Sequence, residues 1–137
     1  DDACACGGSG CLEAIASAAA VARRYAVRAG TPTEGSAGVV AQLRAGDEVA
    51  RSVWQEAVQA LAFALSWVVG VLAPEVIVIG GGLALAGDLL FDPLRAEIGR
   101  RLTYHRVSLV VPARFGDAAG SVGASLLAAQ SESSSGS

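Results

Sequence analysis

Apolar residues recur at helical spacing from the first dozen positions onward, and the period then switches to that of a strand. Leu12, Ile15, Ala19, Ala22 and Ala26 fall on one face of a helix predicted from about Leu12 to Arg28. Arg23, Arg24 and Arg28 fall on the other face or at its C-terminal end, where cations suit the helix dipole. Gly30 stands where a C′ glycine belongs and Pro32 follows, which predicts a stop. A short helix is predicted around Ala37 to Arg44, closed by Gly46. Asp47 then caps a long helix that Pro74 ends. Within it Val49, Val53, Ala57, Leu61, Leu65, Val68 and Leu72 recur at spacings of four and three, an amphipathic stripe.

After Pro74 the helical period is gone. Val76-Ile77-Val78-Ile79 is a continuous β-branched run, which predicts a strand covered on both faces in a parallel sheet. Gly80-Gly81-Gly82 follows at once. Asp92-Pro93 reads as an N-cap with proline at the first helical position, opening a helix through about Leu102 with Leu94, Ile98 and Leu102 inward. Val107 to Val111 is a second predicted strand, ended by Pro112, and Asp117 or Gly120 begins a last helix bearing Val122 and Leu126. Gly120 and Gly123 read as close-packing positions near its start. The alternation of helix and strand predicts an α/β fold with right-handed crossovers. Two strands cannot cover their own edges, so further strands are expected from elsewhere.

The 57–73 run, interrupted only by Gln59, Ser66 and Gly70, is seventeen residues long. A membrane span needs about twenty, and Glu56 and Pro74-Glu75 provide no basic anchors, so a buried core helix is expected and no membrane. With 53% hydrophobic and 17% charged residues in 137, the chain excludes disorder outside the Ser131–Ser137 stretch, which is expected to be a disordered tail after a domain at 1–130. All ten basic residues are arginine, the net charge is −3, and no basic cluster exceeds Arg23-Arg24 or Arg100-Arg101. A nucleic-acid footprint is therefore not expected in this stretch. Nothing near Asp1 has the form of a signal peptide, so the chain is expected to be cytoplasmic. The absence of methionine suggests a processed chain or a piece of a longer one.

The sharpest chemical signal is Cys4-Ala5-Cys6-Gly7-Gly8-Ser9-Gly10-Cys11. Three thiols within eight residues, wrapped around glycines that permit tight turns, can converge on one tetrahedral ion, and thiolates suit Zn²⁺. A redox pair or inert buried thiols are the alternatives. His105, the sole histidine, could be a fourth ligand only by a long return of the chain and reads as a core or solvated residue. Glu13, in the first turn of its helix, suits the dipole there. Gly80-Gly81-Gly82 after a strand lets backbone approach a nucleotide, although an ordinary strand-to-helix turn needs the same residues.

Cys4-x-Cys6-Gly7-x-x-Gly10-Cys11-x-Glu13 resembles the zinc signature of the ROK family of bacterial sugar kinases and sugar-responsive repressors. Leu12-Glu13-Ala14-Ile15-Ala16-Ser17 with Ala22-Arg23-Arg24 is similar to the helix that follows that signature. Pro74-Glu75-Val76-Ile77-Val78-Ile79-Gly80-Gly81-Gly82 is similar to the family's strand and glycine turn, and Gly116-Asp117-Ala118-Ala119-Gly120-x-x-Gly123-Ala124 to its closing motif. The resemblance spans Cys4 to Ala129 and implies the C-terminal lobe of an actin-like, ribonuclease-H-type ATPase. It implies that Cys4, Cys6 and Cys11 hold structural zinc, that Glu13 accepts hydrogen bonds from sugar hydroxyls, and that Gly80, Gly81 and Gly82 lie against the adenosine side of ATP. The family's Asp-x-Gly-x-Thr phosphate loop, its catalytic Asp and its Glu-x-Gly-His stretch, whose His completes the zinc shell, do not occur here. The resemblance therefore implies part of an ATP- and Mg²⁺-dependent hexose kinase, glucokinase-like, without catalytic residues of its own; the unpaired strand edges and the apolar 57–73 helix predict homo-oligomers. A sugar-sensing repressor lobe, with DNA binding elsewhere, or a non-catalytic oligomerisation lobe are the alternatives.

Overall fold

The computed structural model describes residues 3–104 and 108–134, with the side chains of 117, 129 and 131–134 left aside. Its helices are α1 (Leu12–Ala16), α2 (Ala18–Ala29), α3 (Gly35–Arg44), α4 (Glu48–Leu72), α5 (Asp88–Arg101) and α6 (Ala119–Ser134). Strands β1 (Val76–Ile79) and β2 (Leu109–Pro112) pair in parallel, Ile77 opposite Val110. The expected second strand began at Val107; that residue, like His105, lies outside the described residues. Helix α6 runs through Ser134, four residues into the serine-rich stretch whose last three residues are not described.

The predicted Leu12–Arg28 helix is two helices. Ser17 adopts extended backbone and its hydroxyl accepts a hydrogen bond from the Ala20 N–H at 3.1 Å, so it caps a new start. The break resets the phase: Ala14, Ala20, Val21 and Tyr25 are buried, while Leu12 and Ala19 are exposed. Two of the arginines on the opposite face and C-terminal end meet a partner there. Arg24 and Arg28 both reach Glu56 of α4, at 2.7 and 2.6 Å, tying α2 to α4.

Hydrogen bonding from Arg28 holds the Glu56 carboxyl below the usual range, against the opposing effect of burial. A carboxyl depressed in the folded chain adds stability above its unfolded pKa and loses it as pH falls through the lower folded value. Glu56 is 37% exposed, so solvent screens the cluster. Glu56→Gln should therefore cost only about 0.5–1 kcal/mol at pH 7. That difference should shrink toward zero below about pH 4, as checked by urea unfolding at both pH values.

Helix α4 begins where expected, with the Asp47 carboxylate accepting from the Ala50 N–H at 2.7 Å. Its buried residues are Ala50, Val53, Trp54, Ala57, Val58, Ala62 and Val69, so the core stripe is wider than the one read from the sequence and rotated from it. Leu72, on the predicted stripe, is exposed, whereas Val69 three residues earlier is fully buried. By length and composition α4 could cross a membrane. In this fold it packs against α1, α2, α3 and α5.

Asp92-Pro93 does not open α5, which starts five residues earlier, with Gly87 before its first residue Asp88 and Pro93 inside it. Proline lacks the N–H that would bond the Leu89 carbonyl one turn back. The Trp54 indole N–H donates to that carbonyl at 2.9 Å, which makes the interior proline tolerable.

Leu90, Leu94 and Ile98 of α5 pack with Val53 and Val58 of α4, Val21 of α2, Val39 of α3 and Val110 of β2. The sheet turns Ile77, Ile79 and Val110 toward this core. Val76, Val78 and Leu109 on the other face are exposed, so among the described residues the expected coverage of both faces is not met. The two sheet edges also differ. Leu109 N–H bonds Glu75 and Ala113 N–H bonds Ile79, which leaves the Val110 peptide group pointing away from β1. Arg95 donates twice to that Val110 carbonyl, at 3.1 and 2.8 Å, and closes the β2 edge. Among the described residues no strand pairs along the outer edge of β1.

Candidate functional site

The cysteine-rich opening folds back on itself. Cys4 N–H donates to Gly8, Gly7 N–H donates to Cys4, and Ala3 bridges Ser9 in antiparallel register. Gly7 and Gly10 adopt φ of +86° and +70°, which a side chain would strain. The three Sγ atoms lie within 4.8 Å of one another, and Cys6 and Cys11 approach to 3.5 Å. Three sulfurs on a tetrahedral zinc at about 2.3 Å would sit about 3.8 Å apart, so the donor set fits a metal with small adjustments.

The thiols' acidities agree with that fit. Hydrogen bonding from the Gly8 backbone, then from Cys4 and Cys11, holds the Cys6 thiol below its usual range. Cys11, bonded to Cys6 and then to Cys4, is pushed up to about 11. Without a cation, ionisation of one sulfur opposes ionisation of the next. A divalent ion relieves that opposition, since thiolates are its ligands.

Cys11 is also the residue before α1, and Ala14 N–H bonds its carbonyl. The knuckle thereby fixes the start of a five-residue helix that carries Glu13, exposed, in its first turn. A second tie comes from Arg23 of α2, whose guanidinium donates to the Ala14 carbonyl at 3.2 Å across the Ser17 break. The sequence pattern placed Arg23 on an outer face and gave no sign of this bond, since the break that turns α1 toward α2 was not foreseen.

The glycine turn after β1 packs against the same region. A Cβ on Gly82 would stand 3.0 Å from Ala18 Cβ at the start of α2, and one on Gly80 would stand 3.3 Å from Ala113. Gly81 has φ of +80°. All three glycines thus have structural reasons to be glycine. Beside Gly82 opens a groove of about 180 Å³, also lined by Ser36, Ala37, Val40, Arg44 and Leu85. That volume is below the roughly 300–1,000 Å³ of a complete small-molecule site, enough for one part of a nucleotide. Ser36 and Arg44 carried no motif and were not singled out from the sequence. Gly120 and Gly123, read as close-packing positions, have no described atom within 4 Å of an added Cβ, so they are not packed against the described residues. A larger hollow of about 400 Å³ between α3, α4 and α5 contains none of the predicted site residues. Its arginines, Arg51 and Arg100, are already held by Glu48 and Glu97.

The knuckle and Glu13 thus lie at the start of α1, and the glycine turn touches Ala18 at the start of α2, the next helix. A family model described as the ROK family matches residues 1–131. A glucokinase of Thermotoga maritima is 37% identical over 108 residues, covering 69% of this chain and 34% of the glucokinase. A ROK hexokinase structure from Thermus thermophilus superposes with a TM-score of 0.80 at 32% identity, covering 90% of this chain and 43% of the hexokinase. A ROK glucokinase from Streptomyces griseus, solved in complex with glucose and AMPPNP, superposes with a TM-score of 0.79 at 28% identity, covering 93% of this chain and 47% of that one. The chain spans less than half the length of these relatives. It belongs to the ROK family, and its α/β architecture is part of an actin-like ATPase fold.

Proposed function

We propose that this segment serves a cytoplasmic, ATP-dependent hexose kinase of the glucokinase type, contributing sugar recognition and one wall of the nucleotide site. The observation that carries the reading is the placement of Glu13. A carboxylate on the first turn of α1, with the cysteine knuckle before it and the Arg23 bond behind it, is a fixed acceptor for sugar hydroxyls. Cys4, Cys6 and Cys11 would hold zinc, which when bound supplies rigid cross-linking rather than Lewis-acid chemistry. Gly80, Gly81 and Gly82 would face the adenosine side of ATP, with Ser36 and Arg44 offering a hydroxyl and a cation in the adjoining groove. Mg²⁺, the phosphate loop and the base for the sugar hydroxyl would come from outside this segment, where phosphoryl transfer rests mainly on positioning and charge neutralisation.

The kinase assay is hexose-dependent release of ADP by a full-length ROK polypeptide carrying this segment. Turnover that requires both glucose and ATP is expected. Sugar binding with no turnover and with sugar-dependent DNA binding would instead make this the sensing lobe of a repressor. Self-association is assigned to the outer stretch of α4, where Phe63, Trp67, Val71 and Leu72 are exposed and the Phe63 and Trp67 rings meet edge to face at 6.2 Å. Sedimentation of Trp67→Glu should give a smaller species than the unaltered chain.

Metal binding carries its own expected result. Elemental analysis of a full-length ROK polypeptide carrying this segment should find one zinc per chain at pH 7.5, and the ion should leave on acidification as protons compete for sulfur. Cys6→Ser should weaken binding by at least about a hundredfold. No zinc in folded, reduced protein would remove the metal from the account.

A further inference from the structure

We propose that Cys6 and Cys11 close to a disulfide when the knuckle holds no metal, so that the same sulfurs are a site of reversible oxidative modification. This goes beyond the kinase reading and stands independently of it. Cys6 and Cys11 have their Sγ atoms 3.5 Å apart, and both are free thiols. Closing that gap to the bond length of about 2.05 Å needs a movement of about 1.5 Å. The four residues between them, Gly7, Gly8, Ser9 and Gly10, are three glycines and a serine, so the backbone can follow. Cys6 is exposed, while Cys4 and Cys11 are half-buried, which makes Cys6 the sulfur an oxidant meets first. Cys4 is separated from Cys6 by Ala5 alone, a spacing too short for relaxed disulfide geometry.

The oxidant is a hydroperoxide. The Cys6 sulfur attacks the peroxide, taking one oxygen to become sulfenic acid while the other leaves as water. The Cys11 sulfur then attacks the Cys6 sulfur, the S–S bond forms, and the sulfenic oxygen departs as a second water carrying the thiol proton. The protein loses two hydrogens, and one hydrogen peroxide becomes two waters. A dithiol reductant reverses the step. The closed form keeps a single thiol, Cys4, so metal binding and oxidation exclude each other. Closing also pulls on Cys11, the residue that starts α1, two positions before Glu13.

The experiment uses the 137-residue chain, stripped with a chelator and exposed to hydrogen peroxide, then labelled with a maleimide and weighed. The expected product is lighter by two hydrogens and carries one label. The first arginine is Arg23, so trypsin leaves all three cysteines in one peptide and the pairing is read from variants. Cys4→Ser should close within about twofold of the unaltered rate, and Cys11→Ser and Cys6→Ser at least about tenfold more slowly. Three labels after peroxide, oxygen adducts without a disulfide, or Cys11→Ser closing as fast as the unaltered chain would each overturn the proposal. Zinc measured separately on a full-length ROK polypeptide carrying this segment keeps the two readings apart: no zinc there, with a stripped chain that still closes, sinks the metal reading alone.

Discussion

Trp54→Ala should unfold the chain more readily than any surface substitution, with a loss of about 3–5 kcal/mol in urea titration. Trp54 is 4% exposed, and it performs two separable tasks. Its rings fill space against α5, and its indole N–H satisfies the Leu89 carbonyl that Pro93 leaves without an intrahelical donor. Trp54→Phe separates the two, since it keeps most of the apolar body and removes the donor. A buried carbonyl left without a partner costs about 1–3 kcal/mol, and since Leu89 is only partly buried a loss of about 1 kcal/mol is expected for this variant. Pro93→Ala restores a backbone N–H at position 93, so Trp54→Phe should cost distinctly less in that background. Equal costs in both backgrounds would mean that the indole bond contributes nothing and that packing alone explains the tryptophan.

The same pair shows where the sequence stops being legible. Asp92-Pro93 has the form of a helix start, and local rules place one there. The residue that makes an interior proline acceptable, Trp54, lies on another helix, 35 positions from the Leu89 carbonyl it bonds. Ser17 failed to register for the opposite reason. It is a good N-cap, but it sits in the run Ala14-Ile15-Ala16-Ser17-Ala18-Ala19-Ala20, where strong helix formers on both sides mask a one-residue break. That miss shifted the buried face of α2 and hid the Arg23 bond. Signals that are local in origin did survive: the Asp47 cap, the left-handed Gly30, the Val76–Ile79 strand and the convergence of three thiols around φ-positive glycines.

The strands were expected to be covered on both faces because a continuous β-branched run usually is. In the structure Val76 and Val78 stay open on one face, and the outer edge of β1 has no described partner while Arg95 closes the edge of β2. A sequence pattern reports what a strand is built to contact; only the three-dimensional arrangement shows which neighbours this segment supplies. The relatives are about twice as long, which accords with a surface made to be covered.

Glu13 carries the central claim, and one titration reaches it. Glucose is titrated calorimetrically into a full-length ROK polypeptide carrying this segment, and into the same protein with Glu13→Gln. Glutamine keeps the size and one acceptor but loses the charge, and a charge-assisted hydrogen bond contributes about 1.5–3 kcal/mol. The account predicts a ten- to hundredfold loss of glucose affinity, with unchanged thermal unfolding because Glu13 is exposed. Equal glucose affinity in the two proteins would contradict it and leave Glu13 as an acidic residue at a helix start.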